Sequence, residues 1–140
     1  MKLSRAEREA FLAAPHVAVI SIERGDDAPL TVPIWYSYAP GGEIGLWMED
    51  GTAKVRALRA AGRLSVCVQD TRRPYRYVSV SGTVTRIAAI DWTRELLPIV
   101  ERYLDADTAA GYLAALGGPS GVADQLFVSM RPLRWRAEQL

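Results

Sequence analysis

The sequence is poor in the residues from which many catalytic sites are built. It holds one cysteine, Cys67, and one histidine, His16, in 140 residues. A lone cysteine excludes an intrachain disulfide, and one His with one Cys is too few for a His/Cys zinc site. A Ser-His-Asp or Cys-His triad would have to use His16. No apolar run approaches the roughly 18 residues of a membrane span, and residues 1–14 lack the uninterrupted apolar stretch of a signal peptide, so a cytoplasmic protein is expected. Net charge is scant as well. Seventeen basic residues against 16 acidic ones leave +1, which speaks against a protein that is basic overall, as nucleic-acid and anionic-membrane binders often are. With 49% hydrophobic and 24% charged residues, the chain reads as one folded domain over 1–140.

What is present is mostly β pattern. Ser4-Arg5-Ala6-Glu7 is a capping box, which predicts a helix over Ser4–Ala13 ended by Pro15. Val17, Val19, Ile20 and Ile22 give a first strand over 16–23, and Gly25-Asp26-Asp27 a turn. A second strand spans Ala28–Tyr38, with Leu30, Val32, Ile34, Tyr36 and Tyr38 on one face, and a third spans Glu43–Glu49 after Pro40-Gly41-Gly42. Pro33 lacks a ladder donor, so the second strand must be an edge or open locally there. A helix follows over Thr52–Ala61, stopped by Gly62, then strands over Arg63–Gln69 and Tyr75–Ile87, the latter bent or bulged at Gly82. Helical segments are expected over 89–104, kinked near Pro98, and over 108–116, capped by Asp107. Strand returns over 125–130, with a further piece at 133–136. Hairpin-length links without βαβ spacing point to an antiparallel barrel with packed helices.

The charges are unevenly placed. Residues 54–76 carry seven basic side chains and one acid, Asp70, whereas 88–125 carry two basic and six acidic ones. A basic middle segment suits a phosphate-bearing or polycarboxylate ligand, or is simply a solvated set of arginines. Within it, Gly51-Thr52-Ala53-Lys54 opens a helix, where free backbone N–H groups and the positive end of the dipole favour a phosphate. The chain has 15 arginines and two lysines, and it keeps one of those lysines at this position.

Read in order, Val17-Ala18-Val19-Ile20, Pro29-Leu30-Thr31-Val32-Pro33-Ile34-Trp35-Tyr36, Gly51-Thr52-Ala53-Lys54-Val55-Arg56-Ala57-Leu58, Arg63-Leu64-Ser65-Val66 and Tyr77-Val78-Ser79-Val80-Ser81-Gly82 resemble the pyridoxamine 5′-phosphate oxidase-like, FMN- and F420-binding split β-barrels. The likeness is greatest to small F420-dependent oxidoreductases. It implies a mainly β fold, a six-stranded antiparallel split β-barrel with packed helices, acting as a homodimer with cofactor sites at the subunit interface. It implies that Val32, Pro33, Ile34 and Trp35 neighbour the deazaflavin or flavin ring, with Met48 and Glu49 beside it. Thr52, Ala53 and Lys54 map to the cofactor phosphate, Arg56 to the phosphate or tail, and Arg76, Tyr77 and Trp135 to contributions from the partner chain. The implied activity is hydride transfer from reduced coenzyme F420 to a small organic acceptor, with FMN as the alternative cofactor and a non-catalytic flavin, deazaflavin or haem binder as the alternative role. The C-terminal Pro132-Leu133-Arg134-Trp135-Arg136 lacks the His often found in the vitamin B6 oxidases proper.

Overall fold

A computed structural model describes all 140 residues. Helix α1 (Arg5–Ala13) leads into strands β1 (Ala18–Arg24), β2 (Asp27–Ile34), β3 (Tyr36–Ser37) and β4 (Ile44–Glu49). Helix α2 (Ala53–Ala61), β5 (Arg63–Gln69) and β6 (Arg76–Ala89) follow, then a π-helical turn (Trp92–Leu96) running into α3 (Leu97–Tyr103). Helices α4 (Ala106–Leu116) and α5 (Gly118–Gly121) precede the last strand, β7 (Gln125–Gln139). All pairings are antiparallel, in the order β2-β1-β5-β6-β7-β4-β3. No helix is long and apolar enough to cross a membrane.

Seven strands stand where six are expected, because the strand foreseen over 28–38 is interrupted at Trp35. Its first part pairs with β1 and its second with β4, so consecutive pieces of chain lie at opposite ends of the sheet. That is how the sheet curls on itself, and it places Pro33 on a terminal strand, where a missing N–H leaves no ladder bond unmade on the open side. β7 is one strand of 15 residues instead of two pieces. Pro132 is accommodated because it lies opposite Gly82 at a register shift between Ser81 and Gly82. A Cβ at position 82 would overlap the Arg131 carbonyl, so the bulge requires glycine.

Inward-facing residues alternate along the strands and fill the barrel with Ile20, Ile22, Ile44, Leu46, Met48, Val66, Val80, Val128 and Met130, each essentially inaccessible to water. Each such Ile or Leu side chain stabilises the fold by about 1.5–3 kcal/mol. Trp47 and Phe127 take the opposite phase and point out of the barrel. There they meet a second apolar cluster, Ile90, Leu96, Val100, Ala109 and Val122, contributed by the π-turn and α3–α5. Gly45 leaves the space that the Phe127 ring occupies.

The helix ends follow local chemistry. Ser4 and Glu7 form the reciprocal capping box, with Ser4 Oγ accepting from Glu7 N at 3.1 Å and Glu7 Oε1 from Ser4 N at 2.9 Å. Gly62 closes α2 in the left-handed region at φ 70°. The cap of α4 is Asp105, not Asp107. Its carboxylate accepts from Thr108 N at 2.8 Å, and this backbone N–H, with the Thr108 hydroxyl, holds the Asp105 carboxyl below its ordinary range. The expected helix over 89–104 begins only at Trp92, since β6 runs on to Ala89. The π-to-α change falls at Leu97-Pro98, where proline is tolerated in a first helical turn. Residues 119–121, whose Pro and Gly read as loop, belong with Gly118 to the short α5.

Candidate functional site

At the edge of the barrel, the break at Trp35, the end of β4, the first turn of α2 and the α4–α5 segment enclose a cleft of about 350 Å³. That lies at the lower end of the range for small-molecule sites, about 300–1,000 Å³. Trp35, Trp47 and Met48 line one side, Tyr112, Leu116 and Val122 the other, with Glu49, Lys54 and Gln125 as the polar groups.

Each wall is fixed by identifiable contacts. Trp35 turns outward at the strand break and stacks on Tyr103, with ring centres 4.8 Å apart and planes at 13°. The Tyr103 hydroxyl donates to the His16 carbonyl at 2.6 Å and accepts from Tyr36 N at 3.3 Å, so it stands in for the ladder bonds lost at the break. Tyr112 approaches Trp35 at 6.0 Å and meets Trp47 edge-on at 6.4 Å. Trp47 Nε1 donates to Gln125 Oε1 at 2.8 Å. Asp50 N donates to the Asp124 carbonyl at 2.9 Å, which ties the turn before α2 to the chain leaving α5.

The entry to α2 differs from those of α1, the π-turn and α4. Ser4, Asp91 and Asp105 each accept a first-turn N–H of their helices. Thr52 occupies the same position before α2, but its hydroxyl donates backward to the Glu49 carbonyl at 2.8 Å and caps nothing. The N–H groups at the start of α2 therefore have no side-chain acceptor, and Lys54, in the same turn, faces the cleft. Free N–H donors, an ammonium and an aromatic wall are the donor set that fits a phosphate joined to a planar ring system.

Of the thirteen residues singled out from the sequence, Trp35, Met48, Glu49 and Lys54 line this cleft. Thr52 and Ala53 stand at the start of α2, next to Lys54 in sequence but not among the residues that line the cleft. Ile34 points into the barrel core, Val32 packs against that core, and Pro33 lies on the outer face opposite Val19. The Arg56 guanidinium turns back to the Gly51 carbonyl at 2.7 Å and braces the turn. Arg76 lies over the Phe11 ring at 4.9 Å. Tyr77 pairs with Gln69 and Glu138 along the sheet. Trp135 packs under Arg8, 4.7 Å from its guanidinium, and edge-on to Tyr38. The last three lie outside the cleft of their own chain.

The basic run at 54–76 does not form one patch. Arg63 pairs with Glu23 at 2.8 Å, and Arg72 with Asp70 at 3.6 Å. Lys54 alone of the seven lines the cleft, whereas Arg72 and Arg76 line a separate depression against α1. Tyr112, Leu116, Val122, Gln125 and the stacking partner Tyr103 were not foreseen. The one sequence signal for them is Tyr112, a large aromatic in the Ala- and Gly-rich helix α4.

No protein-family model and no curated protein matches the chain. Solved structures do. An F420 reductase superposes with a TM-score of 0.72 at 23% identity, covering 91% of this chain and 94% of that one. The FAD and haem binding protein from Mycobacterium smegmatis gives 0.71 at 21%, over 97% of this chain and 71% of the other. A FAD-binding protein from Mesorhizobium loti gives 0.65 at 19%, over 98% and 95%.

The chain has the pyridoxamine 5′-phosphate oxidase-like split-barrel fold. At these identities the likeness is one of fold.

Proposed function

We propose that this split barrel is an oxidoreductase that binds a flavin-type cofactor in the cleft beside Trp35, and that the cofactor is coenzyme F420. The observation that carries the reading is the uncapped start of α2 with Lys54 at its first turn, opening into an aromatic-walled cleft. Lys54 and the α2 N–H groups hold the phosphate, while Trp35 flanks the ring and Met48, its side chain buried in the barrel, lies behind it. Trp47, Tyr112 and Leu116 keep water from that side. The bound cofactor supplies hydride transfer, and the protein supplies position and desolvation. Thr52 and Arg56 act indirectly, by shaping the turn that presents Lys54.

The active form in this reading is a homodimer, with Tyr77 and Trp135 offered toward the partner's site, while Arg76 stays over Phe11 in a depression of its own. The outer face of β1, β5 and β6 supports a second copy as partner. Val19 is 42% exposed there and pairs with Cys67, which pairs with Ser79, while Arg134 and Arg136 of β7 and Arg63 of β5 add charge along the same sheet. The acceptor is a small organic molecule.

FMN is the second reading, and the dispersal of the arginines favours it. A polyglutamate tail needs several cations near the phosphate, and here Arg63 and Arg72 are already paired with acids. Titration of the purified protein with F420 and with FMN, each followed by its own fluorescence, decides between them. Saturable F420 binding supports the proposal. Tight FMN binding without F420 binding replaces the cofactor, and binding of neither overturns the reading. Turnover of the reduced cofactor with acceptor dyes or quinones separates a reductase from a binding protein.

A further inference from the structure

We propose that the depression between α1 and the β5–β6 loop is an oxyanion site, in which Arg76 and His16 hold a carboxylate or phosphate group of an organic ligand. The depression has a volume of about 430 Å³ and shares no lining residue with the cofactor cleft.

Two buried polar atoms there have no partner, Arg76 Nε and His16 Nε2. Phe11 organises both groups. His16 stacks on its ring at 4.3 Å and 25°, and the Arg76 guanidinium lies 4.9 Å from the ring centre. Arg76 makes no side-chain hydrogen bond or ion pair, and stacking holds its planar fork without using its donors. The two acids at the rim are already engaged. Glu7 Oε1 accepts from Ser4 N at 2.9 Å, and Asp70 Oδ1 accepts from Arg72 N at 3.0 Å. Each acid keeps its second oxygen free, whereas Arg72 pairs with Asp70 and Arg76 with no acid. Ala10, Phe11 and Ala14 supply an apolar wall for the carbon skeleton that bears the anion.

Charge bookkeeping makes binding pH-dependent. His16 faces Glu7 of α1, Asp70 and Arg72 of the loop, Arg76 of β6 and Arg102 of α3. At the depression, Glu7 and Asp70 balance Arg72 and Arg76, so the site is formally neutral until His16 takes a proton. Burial holds the imidazole below its ordinary range against the pull of the Phe11 carbonyl and Asp70, with a smaller contribution from the Arg102 and Arg76 charges. An anion between Arg76 and His16 stabilises the imidazolium, so binding takes up a proton and tightens as pH falls.

His16 is the only histidine, so its imidazole proton resonances report on the site without ambiguity. Flavin-free protein is titrated with inorganic phosphate and, separately, with succinate, following the His16 signals between pH 5 and 8. The expected result is a saturable shift and a His16 titration moved upward by about half a unit or more, equivalent to roughly threefold tighter binding to the protonated form. A response to phosphate alone assigns a phosphate monoester, and a response to succinate alone a carboxylate ligand. Arg76→Gln should abolish the effect. Should that variant not fold, the Arg76 Nε–H resonance of the wild type serves instead, and it should move on saturation. Unmoved His16 signals at tens of millimolar of both anions, an effect that survives Arg76→Gln, or an Arg76 Nε–H that stays put overturns the site. Because no flavin is present, the outcome is independent of the cofactor reading.

Discussion

Arg102 offers the sharpest test of how the cleft is held. Its guanidinium donates to three successive carbonyls at the exit from α1, those of Leu12 at 3.2 Å, Ala13 at 2.6 Å and Ala14 at 2.8 Å, while lying 4.6 Å from the Tyr36 ring centre. Tyr36 donates to the Leu12 carbonyl at 2.6 Å, and burial pushes its hydroxyl well above the ordinary phenol range. One cation on α3 thus fixes the α1–β1 link against the residue that follows the Trp35 break. Hydrogen bonds from a charged donor contribute about 1.5–3 kcal/mol each. Taking the two short ones at the low end, treating the long one as negligible, and allowing water to reach part of the exposed carbonyls, Arg102→Ala should cost about 2–3 kcal/mol. At this chain length that is about 8–12 °C in Tm. Urea unfolding should show the midpoint falling with an unchanged m-value. Arg102→Lys, which keeps the charge but loses the fork, should recover only part of the loss. The exposed Arg63–Glu23 pair provides the contrast, and Arg63→Ala should leave the midpoint where it was. If Arg102→Ala unfolds within about 0.5 kcal/mol of wild type, carbonyl anchoring by this side chain is not what secures the link.

Other outcomes follow from the same geometry. Lys54→Ala removes one ammonium contact to a phosphate, about 1.5–3 kcal/mol, so cofactor binding should weaken about 10- to 100-fold with no change in urea midpoint. Retained affinity would unseat the phosphate assignment. Gly82→Ala drives a Cβ into the Arg131 carbonyl and to 2.6 Å from Met130 Sδ. It should destabilise by about 1–3 kcal/mol or more, read as a lowered Tm. His16 has a folded-state pKa below its unfolded value, so the unfolded chain binds more protons below about pH 6.5 and stability falls as pH drops through that window, levelling off below the folded pKa. His16→Asn should flatten the difference in urea midpoint between pH 7.5 and pH 5.5, and an unchanged difference would point to another group.

Much of this was legible because it is local. The capping box at Ser4 and Glu7, the glycine that ends α2, and the alternation of Leu64, Val66 and Val68 are each decided within a few residues, and Gly82 showed as a glycine interrupting a strand. The break at Trp35 was not, since continuous alternation from Leu30 to Tyr38 gives no hint that the two halves pair with different neighbours. Pro132 looked like a strand end because its tolerance depends on Gly82, some fifty positions away in the sequence. Asp107 resembled a cap as well as Asp105 did, and only the backbone path into α4 distinguishes them. In the cleft, β4 and α2 brought Met48, Glu49 and Lys54 together by adjacency, which sequence reasoning can follow. Tyr112, Leu116 and Val122 arrive by the docking of α4 and α5 on Trp47 and Phe127, which leaves no local signature. The basic run misled because Arg63, at the start of β5, meets Glu23 of β1, and Arg72, in the loop after β5, meets Asp70.

The break at Trp35 also bears on how the protein avoids sticking to itself. An open sheet has two terminal strands whose unpaired backbone groups are templates for other chains. Here the two terminal strands, β2 and β3, are joined by one residue, so the curled sheet brings its two margins end to end at a single seam. Cutting the chain beside Trp35, by a protease or by circular permutation, would leave every other pairing in place. It would turn that seam into two free margins, and the first symptom expected is aggregation, before any loss of β structure.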